Sequence, residues 1–270
     1  MTLDIKSLHT PFREQMKTMD VWLRDMIQTE SKKTTLGQQV EVMMGVWNDK
    51  RKEIEDGHDA LRESKVKIKT GEYEADGNDD PHTFITLSLY LPQIKEIEGV
   101  KQVIEETDLH GTFDLYSQKI RSQHEQYWRR DLLDNADNLR WNSEVIPPKP
   151  GFQWETISMG TNRNEKPRDM RYARWIFREN CRWNLPHIGI YASAATHPNW
   201  IKAMNGKEIP FVWAAGLDVR GPNGLWNQVP YISFVQDGRE VGLSAGPDDS
   251  YGQELSIALL KEGEPLYFPR

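Results

Sequence analysis

A single cysteine, Cys181, stands among 270 residues, so the chain cannot close a disulfide on itself, and it holds no Asn-X-Ser/Thr sequon. Both absences argue against a fold shaped for secretion. Nowhere do 18 apolar residues run together, which excludes a helical membrane span. The first 12 residues mix polar and apolar types around Asp4, Lys6 and His9, without the apolar stretch of a signal peptide. A cytoplasmic location, or a place inside a particle assembled in the cytoplasm, is therefore the expectation. No Walker A sequence and no G-x-G-x-x-G occur, so a standard phosphate cradle is not expected. Internal repeats and low-complexity tracts are missing too.

What remains is ample for a core. At this length a folded chain buries roughly 70 to 75% of its unfolded surface, enough for one large domain or two ordinary ones. Hydrophobic residues make up 37% of the chain, and the formal net charge is −7. The mean hydropathy is −0.72. Residues 1–150 carry 21 basic and 28 acidic side chains, and residues 151–270 carry 13 of each, so the whole excess lies in the first part. Such a surface repels a phosphate backbone, which makes duplex nucleic acid a poor partner for it. Eight of the ten tryptophans lie between Trp128 and Trp226. Between the two parts runs Ile146-Pro147-Pro148-Lys149-Pro150-Gly151, a stiff, extended connector. The expected division is 1–146, a mainly helical domain, and 151–270, an α+β domain with an antiparallel sheet.

Apolar spacing supplies the expected elements. Thr10-Pro11 reads as an N-cap with proline at the first helical position, after which Phe12, Met16, Met19, Leu23 and Met26 recur at helical steps. Leu36, Val40, Met43 and Trp47 repeat the pattern, predicting an antiparallel helical hairpin over 11–63. A small β-hairpin is expected over 65–89, a short helix from Pro92 through Ile94, Ile97, Val100 and Val103, and a long helix over 112–140. In the second part, strands are expected at 152–159, 187–193, 209–219, 225–235 and 239–244, with helices at 167–183 and from Pro198. The expected fold class is thus α+β: a helical first half with a long hairpin, then a mainly antiparallel sheet with flanking helices.

Each candidate for chemistry has a plain structural alternative. Gly242-Leu243-Ser244-Ala245-Gly246 matches the G-x-S-x-G nucleophile elbow. The α/β-hydrolase order then demands a histidine after the serine, yet the last one is His197. A serine-type site would need His187 or His197 in a convergent arrangement. Trp154-Glu155 and Trp213 with Asp218 would suit a sugar cleft with paired acids. Asp76, Asn78 and Asp80 begin like a calcium loop, but Pro81 and Leu87 replace its glycine and glutamate. His187 and His197 have no cysteine pair near them, and Gly189-Ile190-Tyr191 lacks the second half of a GIY-YIG signature. No metal or cofactor is implied.

Two surfaces ask for a partner instead. Trp22, Met26, Met43 and Trp47 would form an adaptable thioether and indole dock on the hairpin, or else fill its own core. Arg171, Arg174, Arg178 and Arg182 step along one helical face beside Trp175, a stripe suited to an anion. The expectation is a non-enzymatic protein–protein interaction or structural subunit of an assembly, such as a virion component, with a protein partner or self-association. A glycan-acting or serine-type hydrolase, and single-stranded nucleic-acid binding through the arginines, are the alternatives.

Overall fold

A computed structural model describes residues 37–39, 41–46, 83–159, 170–171, 174, 187–198, 211–235, 240–249 and 255–266. Eleven described strands carry the architecture: β1 (Thr83–Tyr90), β2 (Pro92–Ile97), β3 (Val100–Thr107), β4 (Gln126–Arg129), β5 (Leu139–Trp141), β6 (Gly151–Met159), β7 (Phe211–Trp213), β8 (Leu217–Val219), β9 (Gln228–Val235), β10 (Glu240–Pro247) and β11 (Leu255–Leu266). Two α-helices, α1 (Leu109–Gln123) and α2 (Gly189–Thr196), join them, with short 3-10 turns at Asp131–Leu133 and Ala136–Asn138. Nine strands form one sheet in the order β1-β6-β11-β7-β9-β10-β4, with β8 also pairing with β9 and β5 with β8. Its pairings are antiparallel except β10 with β4 and β11 with β7. Strands from both sides of the Pro147–Pro150 connector therefore share one hydrogen-bonded sheet.

This corrects the expected fold class. The described chain is rich in sheet and its helices are short; it is not a helical first half built on a long hairpin. Within 11–63 only residues 37–39 and 41–46 are described, and they are helical. The rest of that hairpin, including Trp22, Met26 and Trp47, lies outside the described residues, as do 65–82 of the expected β-hairpin and the calcium-like loop before Thr83. Among the described strands, β1 pairs with β6, Thr86 opposite Glu155 and Ser88 opposite Gln153.

The expected helix from Pro92 is instead the two-stranded ribbon β2–β3. Glu98 and Gly99 both have positive φ, 53° and 77°, as a two-residue I′ hairpin turn requires. Around that turn Ile94 stands opposite Val103 and Ile97 opposite Val100. The same four residues that trace a helical stripe are thus two cross-strand pairs, and their β-branched side chains favour the strand.

Residues 112–140 do not make one helix either. Helix α1 starts earlier, where the Asp108 side chain accepts from Gly111 N at 2.9 Å, and it ends at Gln123. Its buried face is Leu109, Phe113, Tyr116 and Ile120, after which the chain passes into β4 and β5. The stretch expected as a strand over 187–193 contributes to α2, whose eight residues are all buried. Small residues at Gly189, Ala192, Ser193, Ala194 and Ala195 let this helix lie against both β1 and α1. A helix shut in on every side needs no polar face. Phe113 and Tyr191 meet edge to face there, with centroids 5.0 Å apart.

The outer edge of β1 is closed by side chains. Leu87 N donates to Gln39 Oε1 at 2.8 Å, Leu89 N to Tyr116 Oη at 2.5 Å, and Leu91 N to Thr112 Oγ1 at 3.0 Å. Tyr116 returns the bond by donating to Leu89 O at 2.7 Å. An edge so occupied offers no ladder to another strand. Met43 and Val46, from the helical residues before β1, complete the core around Leu87, Leu89, Phe113 and Phe152.

Candidate functional site

The sequence candidates fall into separate structural networks. Glu155 lies on β6 with no exposed surface, and both of its oxygens accept hydrogen bonds from β1: Tyr90 Oη at 2.5 Å on Oε1 and Ser88 Oγ on Oε2. Tyr90 Oη is also 3.5 Å from His187 Nδ1, and His187 packs edge-on against Trp141 with centroids 5.6 Å apart. Burial, then the neighbouring Glu155 charge, pushes the Tyr90 hydroxyl well above the ordinary tyrosine range, so it stays a donor. Ser88, Tyr90, Glu155 and His187 are all fully buried. This cluster satisfies a buried carboxylate, and it is sealed from solvent.

Asp218 belongs to a different network. It sits in β8 opposite Arg140 of β5 and is 4% exposed. Arg140 Nε and Nη2 each donate to its Oδ2 at 3.2 Å, Asn142 Nδ2 donates to Oδ1 at 3.0 Å, and Arg174 Nη2 lies 2.9 Å from Oδ1. Glu155 and Asp218 are therefore not a pair facing a common cleft. Trp154 and Trp213, at 3% and 5% exposure, are core residues, leaving no indole face for a sugar at either position.

Ser244 lies inside β10, opposite Tyr231 in an antiparallel ladder, and is 5% exposed. No strand-to-helix elbow exists at that point. Gly246 has another purpose: a Cβ there would fall 2.7 Å from the Trp213 ring, which occupies the space. Among the described residues Ser244 makes no hydrogen bond with His187 or His197. His197 follows α2 and is buried, with Nδ1 2.8 Å from Thr196 Oγ1 and 3.2 Å from Ser193 O. Burial lowers its pKa to about 4, so it is neutral near pH 7.

The arginine stripe is split by its surroundings. Arg171 is exposed and lies 3.8 Å from Asp249. Arg174 is buried, and besides Asp218 it donates through Nε to Ala215 O at 2.7 Å and through Nη2 to Leu217 O at 2.9 Å. Its guanidinium is spent inside the protein and is not offered to a phosphate. Burial pulls its pKa down, with Asp218 and Asp248 opposing. Arg178, Arg182 and Trp175 lie outside the described residues. Met43 is fully buried, so this member of the expected thioether dock is core. Among the described residues no cluster of three or more metal-ligating side chains occurs, and no helix is long and apolar enough to cross a membrane.

The feature that sequence spacing concealed is the ribbon. Its ladder pairs with no other described strand, and it packs on no other described element to any comparable extent. Ile94 is 41% exposed and Ile97 is 44% exposed. Alternation along β2 puts them on opposite faces. Lys95 and Glu106 make a cross-strand ion pair at 3.4 Å, and Thr107 at the root donates to Pro148 O. The signal available in the sequence was the symmetry of Ile94, Ile97, Val100 and Val103 about Glu98-Gly99. A search against family models, curated proteins and solved structures found no match to this chain.

Proposed function

We infer that the chain acts as a non-enzymatic interaction protein or structural subunit of an assembly, with the β2–β3 ribbon as its docking arm. One observation carries this reading: a two-stranded ribbon, alone among the described elements, exposes an isoleucine on each face. An isolated two-stranded hairpin is marginal in water, and apolar side chains on both faces stabilise it only when something covers them. The titratable candidates support the same reading from the other side. Glu155, Asp218, Arg174, His187 and His197 are all buried, and each polar bond described for them ends on another part of this chain.

The test is the size at which the full chain migrates in extract of its native cell. The wild type is expected in a species larger than the free chain, and the variant Ile94→Thr with Ile97→Thr, which keeps strand propensity, is expected to run free. A wild type that runs as the free chain in that extract sinks the reading.

A further inference from the structure

We propose that the ribbon docks on a second copy of this chain, at the patch formed by Arg140, Arg220, Leu225 and Trp226, so that copies join head to tail. This rests on the ribbon being a docking arm and assigns its partner.

The ribbon is acidic. Residues 92–107 contain four glutamates and two lysines. Lys95 is already paired with Glu106, and Lys101 stands opposite Glu96 in the ladder. Glu98 is exposed at the tip beside Ile97. The arm thus offers aliphatic groups and uncompensated negative charge together.

The patch offers the complement. Arg140 is half exposed, fixed by its two bonds to Asp218 and laid over Trp226 with its Cζ 4.2 Å from the ring centre. Arg220 is exposed two rungs along, past the Leu139–Val219 pair, since its N–H reaches Asn138 O at 2.9 Å while Arg140 pairs with Asp218. Leu225, next to Trp226 in the chain, is 59% exposed. Asp218 is shared between Arg140 and buried Arg174, so one carboxylate faces two guanidinium groups, and the exposed arginines Arg140 and Arg220 are the cations this surface presents in a chain of net charge −7.

The loop is also held in shape. Gly221 N donates to Leu225 O at 2.8 Å, Leu225 N to Asn223 Oδ1 at 3.1 Å, and Arg220 Nε to Gly224 O at 3.1 Å, with Gly224 at φ 78°. A patch fixed in advance loses little freedom on binding, and Arg and Trp are the residues that dominate interface energies. Because arm and patch are different surfaces, the contact is heterologous, and repetition gives a ring or a filament.

Sedimentation velocity on the purified full chain tests this. Wild-type mass is expected to rise with concentration. Ile97→Lys in the arm and Arg220→Glu in the patch are each expected to weaken association about 30-fold or more, the effect of losing one hot-spot residue. Both positions are exposed, and unchanged near-ultraviolet circular dichroism checks that the variants fold. An equimolar mixture of the two variants is expected to stop at a one-to-one pair, because one working arm and one working patch remain. Glu98→Arg placed on Arg220→Glu is expected to regain association. A wild type that stays monomeric at every concentration overturns the proposal, as does association untouched by both single variants. A monomer in vitro that still enters a larger species in native extract, dependent on Ile94 and Ile97, overturns self-docking alone and leaves the arm reading standing.

Discussion

Tyr116 holds Leu89 by both of its backbone groups, accepting from the N–H at 2.5 Å and donating to the carbonyl at 2.7 Å. One hydroxyl on α1 thereby does what a neighbouring strand would do for β1. Burial pushes that hydroxyl well above the ordinary tyrosine range, and only the bond to Leu89 pulls the other way.

Tyr116→Phe keeps the ring and removes the oxygen, leaving a buried N–H and C=O without this partner. The expected loss is about 2 to 4 kcal/mol, read from urea unfolding. The variant is also expected to aggregate sooner than wild type in a light-scattering melt, since the bared edge can take another strand. A midpoint within error of wild type would show that the clamp is not needed.

Arg174 and Asp218 neutralise one another out of reach of water. Arg174→Met and Asp218→Asn are each expected to lose about 1.5 to 3 kcal/mol, the worth of a charge-assisted contact, because Arg140 and Asn142 still hold position 218 and two carbonyls still hold Arg174. The double variant is expected to lose clearly less than the sum, as befits groups in one network. Additive losses in chemical denaturation would contradict direct coupling.

His197 sets an acid limit. Its folded pKa is about 4, below the unfolded reference of about 6.5. Between those values the unfolded chain takes up the proton and the folded chain does not. Its contribution to stability is therefore complete above about pH 6.5 and is lost as the pH falls toward 4, amounting to about 3 kcal/mol in all. In His197→Gln the difference in unfolding free energy between pH 7 and pH 5 is expected to be smaller than in wild type. Equal slopes in the two proteins would remove His197 as the cause.

Part of this fold could be read from residue order, and part could not, for reasons visible at single positions. Aromatic and β-branched residues around Phe152–Met159 marked β6, and the same enrichment toward Val235 marked β9, because such side chains favour strands. Spacing by threes misled at Ile94, Ile97, Val100 and Val103, where a hairpin with a two-residue turn reproduces a helical stripe. Helix α2 escaped because a helix buried on all sides has no amphipathic period to detect. Among the site residues, Glu155 and Asp218 were noticed for their chemistry, but their partners Ser88, Tyr90, Asn142 and Arg140 come from distant segments and leave no local trace. The arginine stripe showed its period and hid its direction, since a guanidinium turned inward toward Asp218 has the same spacing as one turned to water.

The enclosed position of α2 also fixes an order of events for the nascent chain. Eight residues that gain nothing from forming a helix in water acquire that shape only when β1 and α1, more than 60 residues upstream, are there to receive them. Synthesis delivers both walls before Gly189–Thr196 emerges. Any fragment made without the first of these walls would carry that stretch as a sticky, unstructured tail.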